Sequence, residues 1–506
     1  MRRKPLVLLG AAALVPLLLL GTTASASAAS GTLTVTTYDR TGAKVGTPLK
    51  LINLATNGTW TATAGKAKSL PKGTYAVLAA IHTRKTASDT VGALVVKVAG
   101  KKAATIDARK GKVLKDSLDK KPVGGYSEVQ AVVCLGAWSE SVEVRNNPGQ
   151  VFVIPNASKK LESHLATVWS DDREQWVVAR SQKTIPATLT RTVKRSSLAT
   201  LTSYVRAGVA GASNVNLMLQ GSGMSCRSSL LTGLPSAGVP AMVKTHVSAG
   251  KWQIEADTSA PNGDTIGFQY AERTLAAGKS YSQTFLRSAW GPATRPQIAP
   301  KTIHFDTSQM FVDPGFGWTG RYGSEGGSKS TASLSRGGTL IKKQNRTDMY
   351  SYDNAIFSAP AKKKGWYLLR VDAQRARPGL TYPKNLLSAR SSVWFSFYAN
   401  PTGERTAAVA VPRFSVTGLD GSNRAKARTT TTVDIKAQGT AATTMSVKAS
   451  YDGGKSWKAV PVKKSGGLWK ATVKNQGAGF VALRAQAKTA KNYKTEVTVY
   501  RAYAVR

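Results

Sequence analysis

The sequence predicts an all-β protein made of several β-sandwich modules in tandem, the last of them immunoglobulin-like. Three observations predict it. Apolar and polar residues alternate over short runs, the period of a strand with one buried face. These runs recur at roughly 8–12-residue spacing, separated by Gly, Pro, Asn and Asp. No long stretch carries the 3.6-residue period of an amphipathic helix.

The elements follow in order. Thr32-Leu33-Thr34-Val35-Thr36 alternates strictly, and Asp39-Arg40-Thr41-Gly42 is a turn signal. Leu70-Pro71-Lys72-Gly73-Thr74-Tyr75 sets Pro and Gly ahead of a strand over 75–81, and further strands are expected at 94–98 and 105–109. Residues 29–115 therefore read as a small sandwich. Residues 116–125 are charged, contain Pro122 and end in Gly124-Gly125, the composition of a linker.

Residues 126–300 read as a central β-rich region of one or two units, with strands near 129–135, 150–154, 175–180 and 243–256. Pro292, Pro296 and Pro300 mark its end. A further sandwich is expected over 301–420. There Ser335-Arg336-Gly337-Gly338-Thr339 is a hairpin turn, and Trp366 to Val371 is a strand. Ser392-Val393-Trp394-Phe395-Ser396-Phe397-Tyr398 is the most aromatic stretch, read as the core and rim of a strand rather than a ligand platform. Residues 421–506 carry about six strands and the turn Asp452-Gly453-Gly454, the pattern of an immunoglobulin-like sandwich without its Cys-Trp-Cys core.

The N-terminus predicts an address. Met1-Arg2-Arg3-Lys4 is a basic head, an apolar run follows to Leu20, and Ala26-Ser27-Ala28 is a small-residue cleavage signal. This is the layout of a secretory signal peptide over 1–28, removed after Ala28. The apolar run is short for a bilayer span, and no later run is longer. An extracellular location is expected, with cell-wall association as one form of it. In that oxidising setting the two cysteines, Cys134 and Cys226, read as one disulfide closing a loop of about 90 residues, worth about 2–5 kcal/mol. Two buried thiols and a nucleophilic Cys226 are the alternatives.

Charge is the strongest compositional signal. The chain holds 71 Lys and Arg against 27 Asp and Glu, a formal charge of +44. The ends are the most basic: residues 31–115 hold 15 basic and 3 acidic side chains, and residues 421–506 hold 17 and 3. Such a field attracts polyanions. Solubility of a secreted protein is the competing explanation.

Catalytic constellations are missing. The histidines, His82, His164, His246 and His304, sit apart in strand-like settings. The sequence has no H-E-x-x-H, C-x-x-C, G-x-S-x-G or Walker pattern, so neither a metal nor a cofactor is expected. Asp171-Asp172 with Glu174 reads as a surface loop, and Gly221-Ser222-Gly223-Met224-Ser225 as a loop before Cys226.

Several segments resemble the β-rich accessory region of secreted actinobacterial subtilisin-like (S8) serine proteases. Residues 31–112 are similar to one module of it, through Gly31-Thr32-Leu33-Thr34-Val35, Asp39-Arg40-Thr41-Gly42, Leu70-Pro71-Lys72-Gly73-Thr74-Tyr75 and Asp107-Ala108-Arg109-Lys110. The C-terminal module is similar through Ser450-Tyr451-Asp452-Gly453-Gly454-Lys455-Ser456-Trp457, Leu483-Arg484-Ala485 and Tyr500-Arg501-Ala502-Tyr503. Between them, Gly278-Lys279-Ser280-Tyr281, Trp290-Gly291-Pro292 and Tyr367-Leu368-Leu369-Arg370 carry the likeness. The peptidase motifs are absent: no Gly-Thr-Ser occurs and no His precedes Gly. The resemblance implies fold, compartment and accessory ancestry, and no catalytic residue is carried over.

The expected function is non-catalytic: binding of an anionic cell-wall polymer or other extracellular polyanion through the basic terminal modules, with no specific nucleic acid. Two alternatives stand beside it. One is an accessory, targeting or inhibitory partner of a secreted serine protease. The other is an unrecognised hydrolase within 126–300, using Cys226 or His246.

Overall fold

The computed structural model describes residues 30–120, 122, 125–171, 173–209, 211, 214–221, 231–233, 237–259, 265–316, 321–325, 327–347 and 355–506. Ala28 and Cys226 lie outside them. The protein is all-β, a series of packed sheets. The helical segments among the described residues are short 3₁₀ turns such as Arg84–Thr86.

The strict alternation at 32–36 belongs to the strand Ser30–Tyr38, whose Leu33 and Val35 are buried. The turn after it is fixed by Asp39, whose carboxylate accepts from the N–H groups of Thr41 (2.8 Å) and Ala43 (3.0 Å). The expected strand over 75–81 is longer, Gly73–Thr83, and its apolar run is continuous for a physical reason. Both its faces are covered. Tyr75, Val77, Ala79 and Ile81 join one core with Leu33 and Val35. Ala76 and Leu78 join another with Val129, Ala131, Val133 and Leu165.

Strand pairing runs across every position where composition suggests a module boundary. Val151–Val153 adds to the N-terminal sheet, parallel to Ser88–Val98. Lys115–Leu118, in the stretch read as linker, pairs parallel with Thr190–Val193, and Leu118 packs with Trp176, Val178 and Leu198. Arg321–Glu325 extends the sheet of Thr265–Leu275. Arg390–Ala399 pairs with Lys494–Val505, so one nine-stranded sheet joins residues on both sides of 420. Gly, Pro and charge mark where the chain turns; they carry no information about which strand it turns back to meet.

One apolar core extends from Val132 to Val505, and two polar knots tie its parts together. Arg413, on the strand Ala410–Val416, is buried. Its Nη2 donates to the carbonyls of Val312 (3.1 Å), Asp313 (2.8 Å) and Phe316 (3.2 Å), and its Nη1 to Gln438 Oε1 (3.0 Å). Asn423 is fully buried at a left-handed φ of 56°. Its Nδ2 donates to the carbonyls of Ala207 (2.8 Å) and Leu286 (2.9 Å), and its Oδ1 accepts from Ser288 N (3.0 Å) and Arg206 Nη1 (3.4 Å).

Candidate binding face

The nine-stranded sheet has one buried and one open face. Its strands include Ser328–Arg336, Gly365–Arg375, Arg390–Ala399, Lys494–Val505 and Gly479–Lys488, adjacent in that order. Alternation sorts the aromatic stretch 392–398: Val393, Phe395 and Phe397 are buried, while Tyr398 points to the open side and is 41% exposed. The neighbouring strand does the same. Tyr367 and Leu369 are buried; Trp366 (47%) and Leu368 (45%) are exposed.

Trp366 and Tyr398 are direct cross-strand partners with ring centroids 6.2 Å apart and planes at 80°. Tyr493 also meets Trp366, at 5.6 Å and 88°. Leu368 stands opposite both Ser335 and Ser396. One end of the open face is therefore an aromatic and aliphatic patch.

The other end is cationic. Arg390 lies opposite Gln374, which lies opposite Lys329. A cavity of about 300 Å³ opens there, lined by Lys329, Arg346, Arg390, Asn345, Gln374 and the acid Asp372 among others. Arg390 is held by stacking, its guanidinium 3.7 Å from the centre of the Tyr500 ring. Arg484 is held similarly over Trp457, at 4.0 Å. The two acids on this face are engaged: Asp372 pairs with Arg370 (3.0 Å) and Glu496 with Arg484 (3.7 Å). Glu496 also accepts from Trp394 Nε1 at 3.2 Å.

The residues singled out from sequence are placed as follows. His82 Nδ1 is 2.7 Å from Asp89 on an exposed strand pair, and His304 Nε2 is 2.9 Å from Thr302 Oγ1. His164 is buried, with Nδ1 2.7 Å from Ser181 Oγ, and burial lowers its pKa. The ligand atoms of Cys134, Glu162 and His164 lie within 4.8 Å of one another. Cys134 is not a free thiol, however, and a metal needs the thiolate. Asp171 caps its own turn, accepting from the N–H groups of Arg173 (2.8 Å) and Glu174 (2.7 Å); Asp172 lies outside the described residues, as do residues 222–226.

His246 is the one histidine in a chain of polar contacts. Its Nε2 is 2.7 Å from Glu174 Oε1 and its Nδ1 is 3.1 Å from Thr200 Oγ1. A hydroxyl, an imidazole and a carboxylate in line resemble an acyl-transfer relay, but such a centre also needs donors for the developing oxyanion. The three residues sit on adjacent strands, and the Thr200 N–H is spent on the carbonyl of Lys279 (2.9 Å).

Sequence reading missed a carboxylate pair. On the strand Gly250–Ser259, Trp252, Ile254, Ala256 and Thr258 are buried, which brings Gln253, Glu255 and Asp257 together on the other face. Gln253 donates to Glu255 at 3.1 Å. Burial, then the charge of Glu255, pushes the Asp257 carboxyl up to about 7, and burial raises Glu255 as well. The alternation Glu-Ala-Asp at 255–257 is the signal that could have found them. A raised acid favours the folded state while protonated and disfavours it once ionised. Stability is therefore expected to fall by about 2 kcal/mol between pH 5.5 and 8.5. Urea titrations across that range should show the slope in the native protein, and Asp257→Asn should flatten it.

No family model matches. No curated protein matches either. Among solved structures, the chain is similar to the Bacillus anthracis TIE protein, at 12% identity over 76% of this chain and 74% of that one, with a TM-score of 0.13. It is similar to the Sidekick-1 immunoglobulin domains 1–5 at 12% identity over 94% and 95%, with a TM-score of 0.13. It is also similar to a chimeric titin Z1Z2 tandem at 14% identity over 42% and 91%, with a TM-score of 0.15. Scores this low carry no argument, and the fold stands on the strand pairing described above. Among the described residues, no helix is long and apolar enough to cross a membrane.

Proposed function

We propose that the protein is exported, loses residues 1–28 after Ala28, closes a Cys134–Cys226 disulfide, and acts by binding an anionic polymer of the cell envelope. The observation that carries this reading is the charge of the two terminal modules, with 15 basic against 3 acidic side chains over 31–115 and 17 against 3 over 421–506. Lys101, Lys102, Lys112 and Lys115 are exposed in the first, and Lys448, Lys458, Lys463 and Lys464 in the second. Lys463 stands directly opposite Lys470 across a strand pair, a like-charge contact that a bound anion would relieve. Binding through many such contacts is diffuse and needs no cofactor. The resemblance to accessory regions of secreted proteases agrees with a role in holding or targeting rather than in bond cleavage.

The test is co-sedimentation of the mature protein with bacterial cell walls, intact or stripped of anionic polymers, over a salt series. Binding is expected only to intact walls, and its affinity should fall about tenfold or more between 50 and 200 mM salt. Equal binding to stripped walls, or none at low salt, would overturn the reading.

A further inference from the structure

We propose that the open face of the nine-stranded sheet is where a linear anionic glycan is held, with sugar rings over Trp366 and Tyr398 and its acidic groups at Lys329 and Arg390. The proposal rests on the polyanion reading above and moves its specific contacts away from the lysine-rich ends.

The aromatic end supplies the first half of the argument. Trp366, Leu368 and Tyr398 are large apolar side chains left exposed on a sheet whose other face holds a full core. The rings of Trp366, Tyr398 and Tyr493 meet edge to face and so form an angled, open corner rather than a closed stack. A ring face is electron-rich and attracts the polarised C–H face of a sugar, while Tyr hydroxyl and indole N–H groups tolerate its wet edge.

The cationic end supplies the second half. Lys329 and Arg390 have no acidic partner among the described residues, whereas both nearby acids are already paired. The stack on Tyr500 fixes Arg390, so less freedom is lost when it takes an anion. Eight residues separate Trp366 from Gln374 along one strand, about 26 Å at ~3.3 Å per residue. Only an extended ligand reaches both ends; a free phosphate fills the cationic cavity alone.

The layout favours a glycan over single-stranded nucleic acid. A nucleotide chain brings a base and a phosphate together at every step and is served by interleaved aromatic and basic groups. Here the uncovered rings, Trp366 and Tyr398, stand at one end with Lys494 nearby, opposite Ser396, and Lys329 and Arg390 stand at the other. At the basic end, moreover, a guanidinium already covers the ring faces of Tyr500 and Trp457.

The test is titration of the full mature protein with polygalacturonate, neutral dextran, oligo-dT of matched charge and inorganic phosphate. Three double variants accompany the native protein: Trp366→Ala with Tyr398→Ala, Lys329→Gln with Arg390→Gln, and Lys463→Gln with Lys464→Gln. All six side chains are on the surface, so each variant is expected to fold as the native protein does, checked by its melting curve. Polygalacturonate should bind more tightly than the other three. Loss of the two aromatics should weaken it about tenfold without changing the salt slope. Loss of Lys329 and Arg390 should weaken it and lower the slope by roughly 1.5. The Lys463 and Lys464 variant should bind nearly as the native protein does. If only that last variant weakens binding, the sheet face is wrong and the terminal-module reading stands. Tighter binding of oligo-dT overturns the glycan. Failure of every polyanion to bind overturns both readings.

Discussion

Arg413→Ala is expected to cost about 4 kcal/mol of stability, the largest effect of any single change considered for this protein. The guanidinium is fully buried and donates to three carbonyls from a segment about a hundred residues away and to the side-chain amide of Gln438 on the paired strand. Those acceptors lie in a place water does not reach. Removing the donor takes a buried hydrogen bond from the Phe316 carbonyl and from Gln438 Oε1, and leaves the Val312 and Asp313 carbonyls only their backbone donors, Gly291 N and Phe316 N, a loss that costs more than the bonds themselves contributed. The loss also touches Asp313, which is buried with Arg413 and Arg287 as its cationic neighbours. Burial raises the Asp313 pKa and the two arginines oppose that rise, so the variant should also shift the carboxyl further upward. Arg413→Met separates the causes, because it keeps most of the volume. Urea unfolding followed by tryptophan fluorescence should show Met losing nearly as much as Ala. A methionine variant as stable as the native protein would show that the site needs bulk and not donors.

Asn423→Ala comes next, at about 3 kcal/mol. Asn423 makes four side-chain hydrogen bonds to residues 135 to 217 positions away. Part of the loss is local, since its φ of 56° suits Asn better than Ala. Asn423→Gly should recover that part, about 1 kcal/mol, and leave the rest missing. Asn423→Asp is the harsher substitution. It turns the donor facing Ala207 and Leu286 into an anion between two carbonyl oxygens, and it should lower the melting temperature further than Ala does. If Asp proves as stable as Asn, the amide is not the tie between these segments.

Much of the architecture was legible because strands declare themselves locally. The alternation over 32–36 and the turn at 452–454 both correspond to observed elements, the second because the Asp452 carboxylate accepts from the N–H groups of Lys455 and Ser456, each at 3.0 Å. Pairing was not legible. Arg390–Ala399 meets Lys494–Val505 across about a hundred residues, and no periodicity encodes a partner. The binding face was hidden for a related reason. Trp366-Tyr367-Leu368-Leu369 is apolar at every position, so which side would stay open depends on what packs beneath. Arg413 did leave a sign, a lone charge within Ala407 to Val416, and a charge in such a run must find buried acceptors.

The position of Lys494–Val505 has a consequence in time. It lies inside its sheet, between Arg390–Ala399 and Gly479–Lys488, so the earlier strand has an open edge until the later one exists. At a synthesis rate of ~5–20 residues per second, the wait is on the order of 5–20 s. Throughout it, Val393, Phe395 and Phe397 belong to an unfinished layer with a bare row of backbone donors and acceptors, the state in which strands most readily join the wrong chain. A molecule arranged this way depends on whatever holds its nascent chain apart from its neighbours.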